Sequence, residues 1–428
     1  LQIYDGCRSN VEQNLAPPHA RDLHLHSYTR GAVFFHSYTL ELLMKSLKKI
    51  PVAVAISAAL AASAAHAQSS VTLYGLIDAG LMYTNNVKGQ GALFQATSGN
   101  INGSRFGLRG AENLGGGLKA IFVLENGFNV QNGKLGQDSR MFGRQAYVGL
   151  SSSQFGTVTV GRQYDSLVDF VAPLSGTAGT FGDTGFAHPF DNDNLNHSLR
   201  FSNAVKYMSN NYAGLNFGGM YAFSNSTSFA VNRAYSAGAS YSHGPLNVAA
   251  GYLQINGSSG GTDNTAPGTV DLKESTANGT GGFALGSNVQ RTFGAGLNYS
   301  FGPAVVGFVY TNSHFQGTNS FGLNNGSMRF DNYELNAKYA LTRAVSLGIT
   351  DTYTDAHLNG TTTYGADPKW NQVNAQAVYS LSKRTDVYAE AMYQHAIGNQ
   401  FVAFINTAGG ASSTANQVVA TVGMRTRF

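Results

Sequence analysis

The sequence predicts an all-β fold, a 16-stranded antiparallel transmembrane β-barrel. Three observations predict it. Only 12% of the 428 residues are charged and 11% are aromatic, with 52 Gly, whereas about a quarter of a cytosolic globular chain is charged. Segments of roughly ten residues alternate apolar and polar side chains with period two. The connections between them alternate short and long along the whole chain, the asymmetry of short periplasmic turns and long outside loops.

Composition excludes several other classes. Gly recurs without a G-x-y period, so collagen is out. A single Cys rules out a disulfide framework or a Cys-rich metal site. The formal charge of +4 is too small for a chain that binds nucleic acid by counterion release.

The N-terminal part reads as a leader. Met44-Lys-Ser-Leu-Lys-Lys49 is a basic n-region, an apolar run follows from Ile50 to Ala62, and Ala65-His-Ala67 offers the small residues a signal peptidase accepts. The apolar run is shorter than the roughly 20 residues that span a bilayer. The expectation is a signal peptide over 44–67, cleavage between Ala67 and Gln68, and a barrel over 68–428. Residues 1–43 are expected to be an unstructured, mis-translated segment upstream of the true start. Cys7 and His24-Leu-His26 lie there without further paired ligands, so no metal is expected.

From Gln68 onward the strands are placed in order near 70–84, 102–111, 118–130, 140–151, 156–164, 199–209, 214–224 and 233–243. The others are near 245–255, 290–301, 304–313, 329–341, 344–355, 371–381, 384–395 and 415–428. The pattern is plainest late in the chain. Phe293, Ala295, Leu297, Tyr299 and Phe301 share one face, against Thr292, Gly294, Gly296 and Asn298 on the other. Val373, Ala375, Ala377, Tyr379 and Leu381 oppose Gln372, Asn374 and Gln376, and Val387, Ala389, Ala391 and Tyr393 oppose Asp386, Tyr388 and Glu390. Short turns such as Gly302-Pro303, Thr342-Arg343 and Ser382-Lys383 close one end; connections such as 165–198 and 256–289 lie at the other. No Pro after Gln68 falls in mid-strand, where it would remove a ladder donor. In the last strand Val418, Ala420, Val422, Met424 and Phe428 face one way and Arg425 and Arg427 the other. A terminal Phe on the lipid face is the expected signal for the outer-membrane insertion machinery.

Particular segments then carry a resemblance. Ser70-Val-Thr-Leu-Tyr-Gly-Leu-Ile-Asp-Ala-Gly80, Ser104-Arg-Phe-Gly-Leu-Arg-Gly-Ala-Glu112, the run 114–128, Phe142-Gly-Arg-Gln-Ala-Tyr-Val-Gly-Leu150, the run 156–164 and the terminal Val-Gly-Met-Arg-Thr-Arg-Phe428 stand in order. Together they resemble the general, non-specific porins of the Gram-negative outer membrane, of β-proteobacterial type. The resemblance implies a homotrimer of water-filled diffusion channels for small hydrophilic solutes and ions, with no cofactor and no catalysis. It implies contact with outer-membrane lipid and lipopolysaccharide. It also implies a third outside loop, 165–198, folded inward to narrow the pore. Facing that loop, Arg105, Arg144 and Arg200 match a basic wall, with Arg162 as a further candidate. Glu125 and Asp183 match the acidic side. Two departures stand out: Leu76 replaces a basic residue after Leu-Tyr-Gly, and Thr426 replaces an aromatic or leucine. Rings of Arg lower the barrier for anions, so a weak to moderate anion preference is expected.

Rival readings are weaker. Gly257-Ser-Ser-Gly-Gly261 matches G-x-S-x-G in a Gly/Ser/Thr-rich loop without strand-turn-helix context, so no hydrolase is expected. His188 and His197, with Asp191 and Asp193, fit no ligand spacing and read as exposed loop residues. A sugar-specific channel needs a track of aromatics inside the pore, whereas these aromatics fall on the outward parity. Asp351, on that same parity between Ile349 and Tyr353, is costly unless it lies near the interface.

Overall fold

The structure, a computed structural model, describes residues 69–428 except 179–180, 183, 226, 228, 258–284, 286, 361–366 and 399. The leader with Ala67 and Gln68, the loop residue Asp183 and most of the 257–261 run therefore lie outside the described residues.

Alternating segments become a sheet that closes on itself. The strands are β1 Ser70–Thr84, β2 Leu93–Ser98, β3 Arg105–Gly115, β4 Leu118–Gly127, β5 Gln145–Ser152, β6 Gly156–Gln163, β7 Phe201–Met208 and β8 Leu215–Ala222. They continue as β9 Ala234–His243, β10 Leu246–Asn256, β11 Val289–Phe301, β12 Ala304–Thr318, β13 Gly326–Ala340, β14 Val345–Asn359, β15 Lys369–Ser380, β16 Thr385–Ile397 and β17 Asn416–Arg427. All pair antiparallel, and β17 returns to β1 with Ala79 opposite Met424, so no edge stays open. β2 pairs with Ala79–Thr84 and β3 with Ser70–Leu76. The two are halves of one stave, and the barrel is 16-stranded.

That divided stave corrects the expected second strand and its preceding connection of 85–101. Pairing begins at Leu93, so the connection covers only 85–92, and the ladder is interrupted between Ser98 and Arg105. The cause is a buried carboxylate: Asp78 Oδ2 accepts the Ile101 and Asn102 amides at 3.0 and 2.9 Å, and Gly99 takes φ +78°. Backbone donors that would have joined the ladder turn to Asp78 instead. The expected strand at 140–151 begins only at Gln145, because Phe142 takes a left-handed φ of 60°, following Gln137, Asp138 and Ser139 at 49°, 59° and 59°. Conversely, β12, β13 and β14 reach Thr318, Gly326 and Asn359 at their outer ends, beyond their expected limits.

The turns at the other end follow their chemistry. Gly244 and Gly302 open Gly-Pro turns with φ of +56° and +57°, as a two-residue turn with Gly first requires. Thr342 and Ser382 hydroxyls accept the amides two and three residues on.

Outward parity is apolar: Val71, Leu73, Leu81, Val422 and Ile349 are exposed, while Asn332, Glu334, Gln372, Asn374 and Gln394 are buried in the interior. Tyr310, Tyr333 and Tyr353 stand directly opposite one another across β12, β13 and β14, as part of an aromatic girdle. Asp351 lies one outward residue below that row and accepts a 2.9 Å bond from Asn371 Nδ2. Its charge therefore sits at the upper margin of the apolar band, where the cost of exposure to lipid is small.

The interior is crossed by the loop between β6 and β7. Its first part, Leu167, Phe170, Val171 and Leu174, packs on Ala204, Met220, Ala249, Leu253 and Val309 of the wall. Further along, Phe181 and Phe186 pack on Met82, Met392 and Val419 near the closing seam. Inward glycines make room: a Cβ on Gly238 would stand 2.6 Å from Phe170, and Gly348 meets Phe181 the same way. Gly in these strands leaves space for the loop to dock closely.

Candidate pore constriction

The inward loop brings the ends of β3, β5, β6 and β7 to one place in the lumen. Arg105 opens β3 directly opposite Leu76 of β1, so the residue that departs from the family pattern adjoins the predicted basic wall. Arg144, just before β5, is buried; its Nε lies 2.8 Å from Glu125 Oε1 and its amide donates to the Glu125 carbonyl at 3.2 Å. Tyr74 donates to the other Glu125 oxygen at 3.1 Å. Glu125 thus sits on the same wall as Arg144, paired with it. Two bonds to a charged group hold both side chains in fixed positions.

Arg200, just before β7, donates to the Ser198 carbonyl at 3.1 Å, and its guanidinium lies 5.6 Å from the Tyr164 ring centre. Arg162 of β6 donates to the Gly143 carbonyl at 2.7 Å and to Ser202 Oγ at 2.9 Å, tying the starts of β5 and β7 together. A cavity of about 510 Å³ opens beside this wall, lined among others by Gly103, Ser104, Arg144, Thr184, His197 and Arg200. Arg144 and Arg200 therefore meet in one cavity. Arg105 lies beside Arg144, and Arg162 works from behind. Asp183 falls outside the described residues.

The loop's own charges point elsewhere. Asp165 accepts from the Leu167 amide and from Asn194, both at 2.7 Å. Asp169 pairs with Lys206 of β7. Asp191 accepts the Asn196 and Ser198 amides at 3.0 and 3.1 Å. Asp193 holds His188 Nδ1 at 2.6 Å and accepts from Thr311 at 2.6 Å, while His188 Nε2 lies 3.1 Å from Glu334 of β13. His188 is therefore fully buried and joined to the barrel wall, which corrects its reading as an exposed loop residue. His197 is half-buried and stacks on Tyr164 at 5.3 Å between ring centres.

Burial opposes the charged imidazolium of His188, yet Asp193 and Glu334 outweigh it and push its pKa up to about 10. Burial raises Asp165 to about 6 and, with the neighbouring Asp193, Asp191 to about 7. Sequence reasoning missed Lys206, which shares the inward parity of Ala204 in β7, and Asp78, a charge at an inward position of β1. Period two pointed to both. The His188–Glu334 contact spans 146 residues and left no local sign.

Among known proteins, a family model described as Gram-negative porin matches residues 53–399. The chain belongs to that porin family. An outer membrane porin protein of Bordetella pertussis is 33% identical over 389 residues, covering 81% of this chain and 94% of that relative. Outer membrane porin protein 32 of Delftia acidovorans is 28% identical over 398 residues, covering 89% and 100%. Among solved structures, the anion-selective porin from Comamonas acidovorans shares the fold with a TM-score of 0.67 at 24% identity, over 84% of this chain and 100% of that one. OmpT of Vibrio cholerae in its trimer form gives 0.60 at 17% identity, over 84% and 99%. This porin is a passive channel for small hydrophilic solutes in the Gram-negative outer membrane. Its relatives are channels, not enzymes.

Proposed function

We propose that the channel carries a weak to moderate anion preference, set by Arg105, Arg144 and Arg200 at the constriction. One observation carries this reading: every described carboxylate of the inward loop is turned into a bond with the loop or wall, while Arg144 and Arg200 line the cavity. Fixed positive charge at a narrow aqueous passage lowers the barrier for anions and raises it for cations. The Comamonas acidovorans structure is described as anion-selective, which agrees with this reading. Glu125 tempers the field by neutralising part of Arg144, and Arg162 holds the wall in shape. Asp183 is proposed as the remaining acidic partner on the loop. The test is the reversal potential of a planar bilayer under a salt gradient. Anion preference is expected, reduced when Arg105 and Arg144 are both neutralised; a cation-selective wild type defeats the reading.

The partner assignments are also proposals. A homotrimer fits the apolar groove of about 670 Å³ at the closing seam, lined by Leu81, Phe94, Ala389, Ala420 and Val422, and the Vibrio cholerae fold relative is described in a trimer form. Above the tyrosine girdle, Arg291, His314, Arg329 and His357 stand in one cross-strand row on the outward parity, suited to lipopolysaccharide phosphates. Phe428 seals the seam by exchanging backbone bonds with Gly75 at 3.0 and 3.1 Å and remains outward, accessible to insertion machinery during assembly. A signal peptide over 44–67, cut between Ala67 and Gln68, accounts for export.

A further inference from the structure

The inward loop carries several ionisable side chains whose fates differ. Asp165, Asp169, His188, Asp191 and Asp193 are all held in bonds within the loop or against the wall. His197 is different. Among the described residues between Tyr164 and Ser198, it is the ionisable side chain that lines the constriction cavity, on the same cavity as Arg144 and Arg200. Its position is fixed from two sides. The ring stacks on Tyr164 at 5.3 Å with planes 19° apart, and the other partner of that Tyr is the Arg200 guanidinium. Its backbone takes φ +53° and donates to the Asn194 carbonyl at 2.9 Å.

We propose that His197 is a specificity-determining residue of this porin, an imidazole in the constriction whose protonation adds positive charge beside the arginine wall and strengthens anion preference in acid. The groups that face it are Arg105 of β3, Arg144 and Arg200 just before β5 and β7, Tyr164 just after β6, and Asn196 of its own loop. Lys134 and Asp138 line the same cavity. Burial and then the three guanidiniums hold the imidazole well below its usual range, so it is neutral at pH 7. Acidification therefore creates the charge, and neutral pH leaves it absent. A charge in a narrow aqueous passage acts on the ion that must pass it. Within one Debye length, about 10 Å at 0.1 M salt, it is only partly screened.

The inference rests on the anion preference proposed above, and its test separates the two. Because the imidazole titrates well below its usual range, reversal potentials are measured in a potassium chloride gradient from about pH 7.5 down to about pH 3 for the full barrel and for His197→Asn. Asn tolerates the left-handed backbone there and does not titrate. The wild-type anion-to-cation permeability ratio is expected to rise about twofold or more in acid, and the variant to rise clearly less. Carboxylate protonation contributes to both slopes equally, so the difference belongs to His197. A His197→Lys variant should show near pH 7 the preference that wild type reaches only in acid. Equal slopes in wild type and His197→Asn overturn this inference alone. Cation preference at every pH overturns the underlying selectivity instead.

Discussion

At the scale of single residues, the arginines of the proposed constriction are not equivalent. Arg144 is bonded to Glu125, so removing its charge also leaves a carboxylate without its nearest cation. Arg105 has no such direct bond among those described, and its neutralisation removes one positive charge. Arg144→Gln is therefore expected to lower anion preference more than Arg105→Gln, a difference readable in reversal potential. Equal effects would mean that Glu125 is screened from the pore by Tyr74 and water. Arg105, Arg144 and Arg162 could be proposed from sequence because they lie within segments that resemble the family; Arg200 lies outside those segments. The roles of the loop carboxylates were not legible, since Asp165, Asp191 and Asp193 look like free acids until their amide partners are seen.

At the scale of elements, the inward loop is held by apolar docking and by a buried charge cluster. Gly238 lies under Phe170, so Gly238→Leu is expected to lift the loop from the wall and change single-channel conductance, with the barrel still folded. His188 holds Asp193 and Glu334 together, and His188→Ala leaves two buried carboxylates facing each other. Breaking such a buried pair costs about 3–5 kcal/mol, expected here as loop mobility seen in noisier open-channel current. The pH dependence has a definite sign. The folded pKa of His188 is raised to about 10, so its contribution is complete below the unfolded value near 6.5 and is lost as pH rises through about 10. Channels should become noisier above that pH, and quiet conductance well above it would contradict the latch. Element boundaries at the divided stave were not legible, because β2 lies inside a polar run and Asp78 redirects the amides that end it.

At the scale of the whole molecule, closure depends on joining β1 to β17 and β16. Asp78, buried near the seam, accepts from Tyr388 Oη at 2.6 Å, and Tyr388 also accepts from Asn100. Tyr388→Phe is expected to cost about 1–3 kcal/mol by leaving Asp78 short of a donor. The measurement is the temperature at which the barrel loses its compact, fast-migrating form in detergent gels, and an unchanged temperature would assign closure to the backbone ladder alone.

By itself the sequence determined the barrel class, the inward and outward faces and the family, because period-two alternation and turn chemistry act over a few residues. Low charge follows from the same cause: the outward parity meets lipid, and the remaining charges collect on the inward face, at the ends and above the girdle, with Asp351 an outward exception just below it. What only the tertiary structure decided is where each charge is neutralised. Glu125 meets Arg144 across a hairpin, and His188 meets Glu334 across the lumen. Such pairings depend on which side chains closure brings within hydrogen-bond reach, a relation that no local pattern of residues encodes.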